Sequence, residues 1–253
     1  MNALSSALQK RIIAQQVRLY ACCARMQAHT DDEALHDLRI AVRRLRSLLR
    51  PLRKDPLCAA LEQAAGALGR ASGPLRDLEV LAAELQLRGQ AAAAQRRLAE
   101  RTEGYSQLLA GVPLQRLQIR LDEWPQDCRD AQRDGKWLVS GKRVERDLAR
   151  QARKLGEALR VPEPDRHRLR LLIKRLRYCA EAWPAYAELS ADALQALREA
   201  QGALGDWHDH LQWLLRVQSE ADLAPCAEYW RTCLVTAEQQ ADACLQKLAR
   251  HFP

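Results

Sequence analysis

Two segments of this chain carry a histidine followed by basic side chains at one shared spacing. Residues 36–46 read HDLRIAVRRLR, and residues 167–177, 131 positions later, read HRLRLLIKRLR. Six of the eleven positions are identical. Arginine binds phosphate or carboxylate oxygens through two parallel N–H donors, and histidine becomes a stronger donor when it is protonated. The repeated pattern therefore predicts that the protein binds an anion.

Both segments are expected to form amphipathic helices that bury a leucine-rich face, because residues advance by about 100° around a helix. The first basic face comprises His36, Arg39, Arg43 and Arg50, with Arg44 and Arg46 at its flanks. The second comprises His167, Arg170, Lys174 and Tyr178, with Arg175 and Arg177 at its flanks. We expect neither face to contain the glutamate at i+4 that neutralises a solvated arginine face, so an anionic ligand should compensate the charge. An ordinary solvated surface is the alternative interpretation.

The composition supports an anionic partner and excludes several classes of protein. The 253 residues carry a formal charge of +8, and 33 of the 40 basic residues are arginine. No stretch approaches the ~18 apolar residues of a membrane span, and the N-terminus lacks the pattern of a secretory signal. The eight cysteines form no CxxC pair, so we expect reduced, mostly buried thiols in a cytoplasmic protein.

Abundant alanine and leucine, sparse glycine and few β-branched runs predict an all-α fold. A second repeated segment, residues 64–69 and 200–205, follows the histidine-containing segments in the same order. The two repeats indicate an internal duplication. We expect two helical-bundle halves, residues 1–125 and 136–253, related by a pseudo-twofold axis. The two motif helices would then line one central basic groove.

Capping residues, prolines and glycines set the expected helix limits. Thr30 with Glu33 forms a capping box that should open the helix of the first motif. Trp124-Pro125 and Gly205 should each end a helix, and residues 125–136 should form a linker. The expected helices span residues 3–29, 33–54, 89–110, 113–123, 137–160, 164–187, 190–204, 206–220 and 225–249, with one ending near Gly69–Gly73 and one beginning at Pro74.

The motifs resemble those of the CHAD domain, the conserved histidine α-helical domain. The matching segments are HxxRxxxRRLR at 36–46, HxxRxxxKRLRYxxE at 167–181, and the LG…RD and QxxLGDxHD stretches at 68–77 and 201–209. The resemblance implies two pseudo-twofold helical bundles around a basic cavity that binds inorganic polyphosphate without a cofactor. Some family members associate with polyphosphate or polyhydroxyalkanoate granules. Many are fused to a CYTH-type domain, for which this chain has no room, so we expect residues 1–253 to form one stand-alone CHAD domain.

The resemblance also assigns the phosphate contacts by position. They are His36, Arg39, Arg43, Arg44 and Arg46 in one half, and His167, Arg170, Lys174, Arg175, Arg177 and Tyr178 in the other. Weaker candidates are Arg11, Arg50 and Lys142. Asp77 and Asp209 are expected early in their helices, where a carboxylate can cap the helix or orient an arginine.

Two other functions compete with polyphosphate binding. His36-Asp37 and His208-Asp209-His210 are reminiscent of metal-dependent HD phosphohydrolases, although His208 and His210 should point to different faces of one helix. We therefore expect no metal site and no catalytic residue. The arginine content would also suit RNA, but no DNA-recognition motif is present, and the six tryptophans are more typical of a core than of a base-stacking platform.

Overall fold

The computed structural model describes residues 3–135, 137 and 139–252. These residues form helices and connections without a strand, which confirms the all-α prediction. The α-helices are α1 (Ala3–Gln27), α2 (Ala34–Leu49), α3 (Pro56–Ala71), α4 (Gly73–Leu87), α5 (Ala91–Ala110), α6 (Val112–Arg133), α7 (Gly141–Leu159), α8 (Arg166–Ala182), α9 (Ala191–Val217) and α10 (Ala227–Ala249). Short 3-10 turns cover Arg50–Leu52, Pro184–Tyr186 and Ala221–Cys226. No described helix is both long and apolar enough to cross a membrane.

The chain divides into two compact units. Unit 1 combines Met1–Gln86 with Ala94–Val144, and unit 2 combines Leu87–Ala93 with Glu145–Pro253. In unit 1, α2 packs against α1 and α3, and α3 packs against α6. In unit 2, α9 packs against both α8 and α10. The internal duplication and its pseudo-twofold axis stay predictions.

The two motif helices bury the faces that their periodicity predicted. On α2, Leu35, Leu38 and Leu45 are at most 1% exposed, and on α8 the same holds for Leu169, Ile173 and Leu176. The start of α8 is stabilised by Asp165, whose side chain accepts a hydrogen bond of 3.1 Å from the backbone N–H of Arg168. Apolar burial on one face thus directs the basic side chains of each helix away from its core.

The predicted capping box at the start of α2 is wrong. Glu33 occupies the N-cap position without a side-chain cap, and the Thr30 hydroxyl donates to the carbonyl of Arg25 instead. The carboxylate of Asp31 accepts the N–H of Glu33 at 3.0 Å. Arg25, at the end of α1, pairs with Asp31 at 2.7 Å and with Asp37 at 2.8 Å. Arg25, Asp31 and Asp37 therefore form an ion-pair cluster at the turn between α1 and α2.

Two expected helix breaks are absent. Pro125 lies inside α6, which continues to Arg133, so the predicted linker at 125–136 is helical over most of its length. Trp124 and Cys128 are buried on either side of the proline, and their packing offsets the backbone hydrogen bond that it cannot donate. Gly205 likewise lies within α9, which runs unbroken from Ala191 to Val217.

The cysteines and tryptophans lie where the sequence placed them. All eight cysteines are free, six of them buried. Five of the six tryptophans are at most 9% exposed, and Trp230 is fully buried. The buried side chains among them belong to the hydrophobic core.

Candidate anion-binding site

Arg39 lies on the basic face of α2, and its guanidinium closes the end of α3. Its Nη1 donates to the carbonyl of Gly69 at 3.1 Å and to the hydroxyl of Ser72 at 2.9 Å. Burial lowers the pKa of this guanidinium, the neighbouring Asp77 raises it, and the cations of Arg76 and Arg43 lower it. Asp77 is the fifth residue of α4, early in its helix as expected; its role in capping the helix or orienting an arginine stays a prediction. Arg39 is therefore partly committed to holding α2 against α3.

Arg46 and Arg50 share a carboxylate from α3. Arg46 donates from Nε to Glu62 Oε1 at 3.0 Å, and its Nη2 lies 2.9 Å from the same oxygen. The Nη2 of Arg50 lies 3.7 Å from that oxygen. The Arg46 guanidinium also covers Gly66, where an added Cβ would lie 3.5 Å from the Arg46 Cζ. No acid follows Arg46 or Arg50 at i+4, as expected, but a carboxylate of another helix compensates their charge.

The remaining candidates of the first motif are accessible to different degrees. His36 and Arg43 are half-buried, whereas Arg44 is exposed. All three belong to the same helix, so its 1.5 Å rise per residue places them within about two turns of one another. His36, Arg43 and Arg44 therefore lie on neighbouring turns of α2 in unit 1.

Side chains on the basic face of α8 lie beside His208 of α9. The ring centroids of His167 and His208 are 5.9 Å apart. The pKa of His208 is lowered to about 4, first by burial and then by the neighbouring Arg170, His167 and Lys174. Arg170 and Lys174 therefore produce a positive potential beside the His208 imidazole in unit 2, in addition to the larger effect of burial. We refer to His167, Arg170, Lys174 and His208 as the α8 cluster.

The last turns of the α8 motif are partly engaged within unit 2. The Gln201 amide donates to the Tyr178 hydroxyl at 3.1 Å. Arg177 pairs with Glu181 at 3.3 Å, one turn along the same helix, and its Cζ lies 4.5 Å from the centroid of the Tyr178 ring. The absence of an i+4 acid, expected from sequence, is therefore wrong at Arg177. Arg175 is exposed on the flank of the helix.

The weaker candidates and the second aspartate lie elsewhere. Arg11 is half-buried on α1, where burial lowers the pKa of its guanidinium, and Lys142 is exposed at the second position of α7. Asp209 is the nineteenth residue of α9 rather than an early one. That prediction is wrong because α9 does not break at Gly205.

The histidines of the phosphohydrolase alternative are separated by their helix. His208 lies beside His167 of α8, whereas His210 packs against Trp213, with ring centroids 5.1 Å apart. The Nδ1 of His210 lies 2.7 Å from the carbonyl oxygen of Asp206. The Asp37 carboxylate is held by Arg25. Over residues 3–135, 137 and 139–252, no group of three His, Cys, Asp or Glu side chains is placed to hold a metal ion.

Sequence reasoning missed two contributors to the site. Glu62 lies on α3, outside the i+4 range within which helical neighbours can be read from a sequence. His208 lies in the QxxLGDxHD stretch at 201–209, but the sequence does not show which side chains of α8 lie beside it. Both become recognisable only when two helices pack.

These features define an all-α protein that presents a clustered basic face on two of its helices. The sequence matches the family model of the CHAD domain over residues 11–218. The chain therefore belongs to the CHAD domain family. It is similar in fold to the crystal structure of the CHAD domain from the plant Ricinus communis, with a TM-score of 0.70 and 23% identity over 97% of this chain and 91% of that one. No curated protein matches the sequence.

Proposed function

We propose that this protein binds inorganic polyphosphate, without cleaving it, through the basic faces of α2 and α8. The observation that carries the proposal is the α8 cluster, where Arg170 and Lys174 produce a positive potential beside His208; burial first, and then Arg170, His167 and Lys174, lower the pKa of that histidine. Such a potential attracts anions, and the arginine and lysine donors around it suit phosphate oxygens. Family membership supports the same assignment.

A repetitive polymer fits this arrangement better than a single small anion. Basic side chains recur on successive turns of α8, at about 5.4 Å per turn, from His167 through Arg170 to Lys174. One polyphosphate molecule can contact successive turns of the helix. Each contact releases counterions that were bound to the polymer. Retention on polyphosphate or polyhydroxyalkanoate granules in the cytoplasm is the cellular role that we propose with it.

Titration with fluorescently labelled long-chain polyphosphate tests the proposal. Lys174→Gln should weaken binding about tenfold, because it removes one charge-assisted contact. Arg231→Gln is the charge-matched control: Arg231 is exposed on α10 and pairs with Glu228 at 2.9 Å, so affinity should hardly change. Affinity of the wild type should also fall steeply as salt is added. Equal losses in both variants would mean that only net charge matters.

Two further measurements separate the rival functions. If RNA displaces polyphosphate at equal phosphate concentration, the protein is a general polyanion or nucleic-acid binder. If added divalent metal causes release of orthophosphate from polyphosphate, the protein is a phosphohydrolase. We expect neither result.

A further inference from the structure

Glu62 occupies arginine donors that an anionic ligand would otherwise use. Its Oε1 lies within 3.0 Å of both Nε and Nη2 of Arg46 and 3.7 Å from Nη2 of Arg50. Nε and one Nη of a guanidinium form the fork that grips a carboxylate or a phosphate. The carboxylate thus takes the place on Arg46 that a phosphate oxygen would take.

The ion pair lies at the surface of unit 1 rather than in its core. The side chains of Arg46, Arg50 and Glu62 are 32%, 19% and 20% exposed. Water and ligand can therefore reach the pair, and its strength is that of a partly screened contact. An approaching polyanion carries several charges against the single charge of Glu62, so it can compete for the same donors.

We propose that Glu62 is an internal competitor that limits the affinity of the α2 face for polyphosphate. This inference rests on the proposed function and adds a residue that sets its strength. In the free protein Glu62 pairs with Arg46 and Arg50, and in the complex phosphate oxygens replace it. The alternative is that the Glu62 carboxylate orients Arg46 for the ligand. In that case removing the carboxylate should weaken the binding of polyphosphate.

The charge of Glu62 is removed by Glu62→Gln, which keeps the volume of the side chain. We expect polyphosphate to bind about two- to fivefold more tightly, which is the range for releasing one partly exposed ion pair. The log–log salt slope should steepen by about 0.7 for each additional phosphate that the freed arginine donors bind. Glu62→Asp retains the charge but withdraws the carboxylate by one methylene. Its affinity for polyphosphate should therefore lie between those of the wild type and Glu62→Gln.

The matched control is Glu220→Gln. Glu220 pairs with Arg216 at 2.6 Å, both side chains are 29% exposed, and neither belongs to a basic face assigned to the ligand. The control changes net charge by the same amount, so it measures long-range attraction alone. Affinity should rise less than in Glu62→Gln. Equal increases in affinity in the two variants would overturn the local competition.

The Arg46→Gln background tests whether the tighter binding depends on Arg46. Adding Glu62→Gln to Arg46→Gln should raise affinity much less than Glu62→Gln raises it in the wild type, because the released donor is gone. Weaker binding by Glu62→Gln would show a positioning role instead and refute the proposal. Binding by Glu62→Gln with the affinity of the wild type would also refute the proposal about Glu62. If the wild type, Glu62→Gln and Glu62→Asp all fail to bind polyphosphate, the proposed function itself fails.

Discussion

His208 should remain neutral at a pH where an ordinary histidine is charged. Its pKa can therefore be measured as a test of the α8 cluster. Its pKa is lowered from 6.5 to about 4 by burial and by Arg170, His167 and Lys174. In the unfolded chain those effects vanish, so between pH 6.5 and 4 the unfolded state takes up a proton that the folded state does not. The contribution of His208 to stability is therefore intact above pH 6.5 and is lost as the pH falls towards 4.

The magnitude follows from the two pKa values. At pH 5 the linkage relation gives a loss of about 2 kcal/mol relative to pH 7. Because His208 is half-buried, solvent screening reduces this to about 1 kcal/mol. Urea unfolding at pH 7 and pH 5 should show that the wild type loses about 1 kcal/mol more than His208→Gln, which lacks the titrating group.

Nuclear magnetic resonance can follow the imidazole directly. The chain has six histidines, and the signal missing from His208→Gln identifies the one of interest. In the wild type this signal should titrate near pH 4, and Lys174→Gln should raise the pKa because the positive charge of Lys174 is gone. Polyphosphate bound at the α8 cluster should raise it further towards 6.5, since its oxygens offset the same cations.

Three outcomes would contradict these predictions. A His208 signal that titrates near pH 6.5 in the free protein would mean that neither burial nor the cations act on it. Parallel stability changes in the wild type and His208→Gln between pH 7 and pH 5 would lead to the same conclusion. An unchanged His208 pKa in the polyphosphate complex would place the ligand away from the α8 cluster.

Two further predictions concern the helices that hold the site, and urea unfolding measures both. Ser72→Ala removes one of the two hydrogen bonds from Arg39 to the end of α3 and should cost about 1 kcal/mol; unchanged stability would mean that this bond contributes nothing. Gly205→Ala should stabilise the protein by about 0.5–1 kcal/mol, because an added Cβ meets no atom within 4 Å inside α9. Gly104→Ala is the contrasting control, since its Cβ would overlap the Leu75 side chain and should cost about 1–3 kcal/mol. A destabilised Gly205→Ala variant would contradict a continuous α9.

Much of the helical framework is predictable because its signals are local. The faces of α2 and α8 follow from a 3.6-residue period, and Leu38 and Ile173 are buried where that period places them. Ser190 was expected near the start of a helix, and its hydroxyl accepts the N–H of Ala193 at 3.1 Å. Signals of this kind need only neighbours within one or two turns.

The mistaken helix breaks show where local signals stop being decisive. A proline or glycine weakens a helix by about 1–3 kcal/mol, which buried neighbours can outweigh. Beside Gly205, Leu204 is fully buried and Trp207 is 9% exposed, and Trp124 beside Pro125 is 2% exposed. Packing of these side chains against other helices keeps α6 and α9 continuous.

The sequence by itself determined that this protein is helical, that two of its helices carry histidine and arginine at matching positions, and that these helices turn a basic face away from their cores. Only the tertiary structure decided which of those cations have partners. Glu62 reaches Arg46 from another helix, and His208 of α9 meets His167 of α8. The physical reason is that electrostatic energy depends on distances in space, and packing brings together charges that the chain separates by many residues.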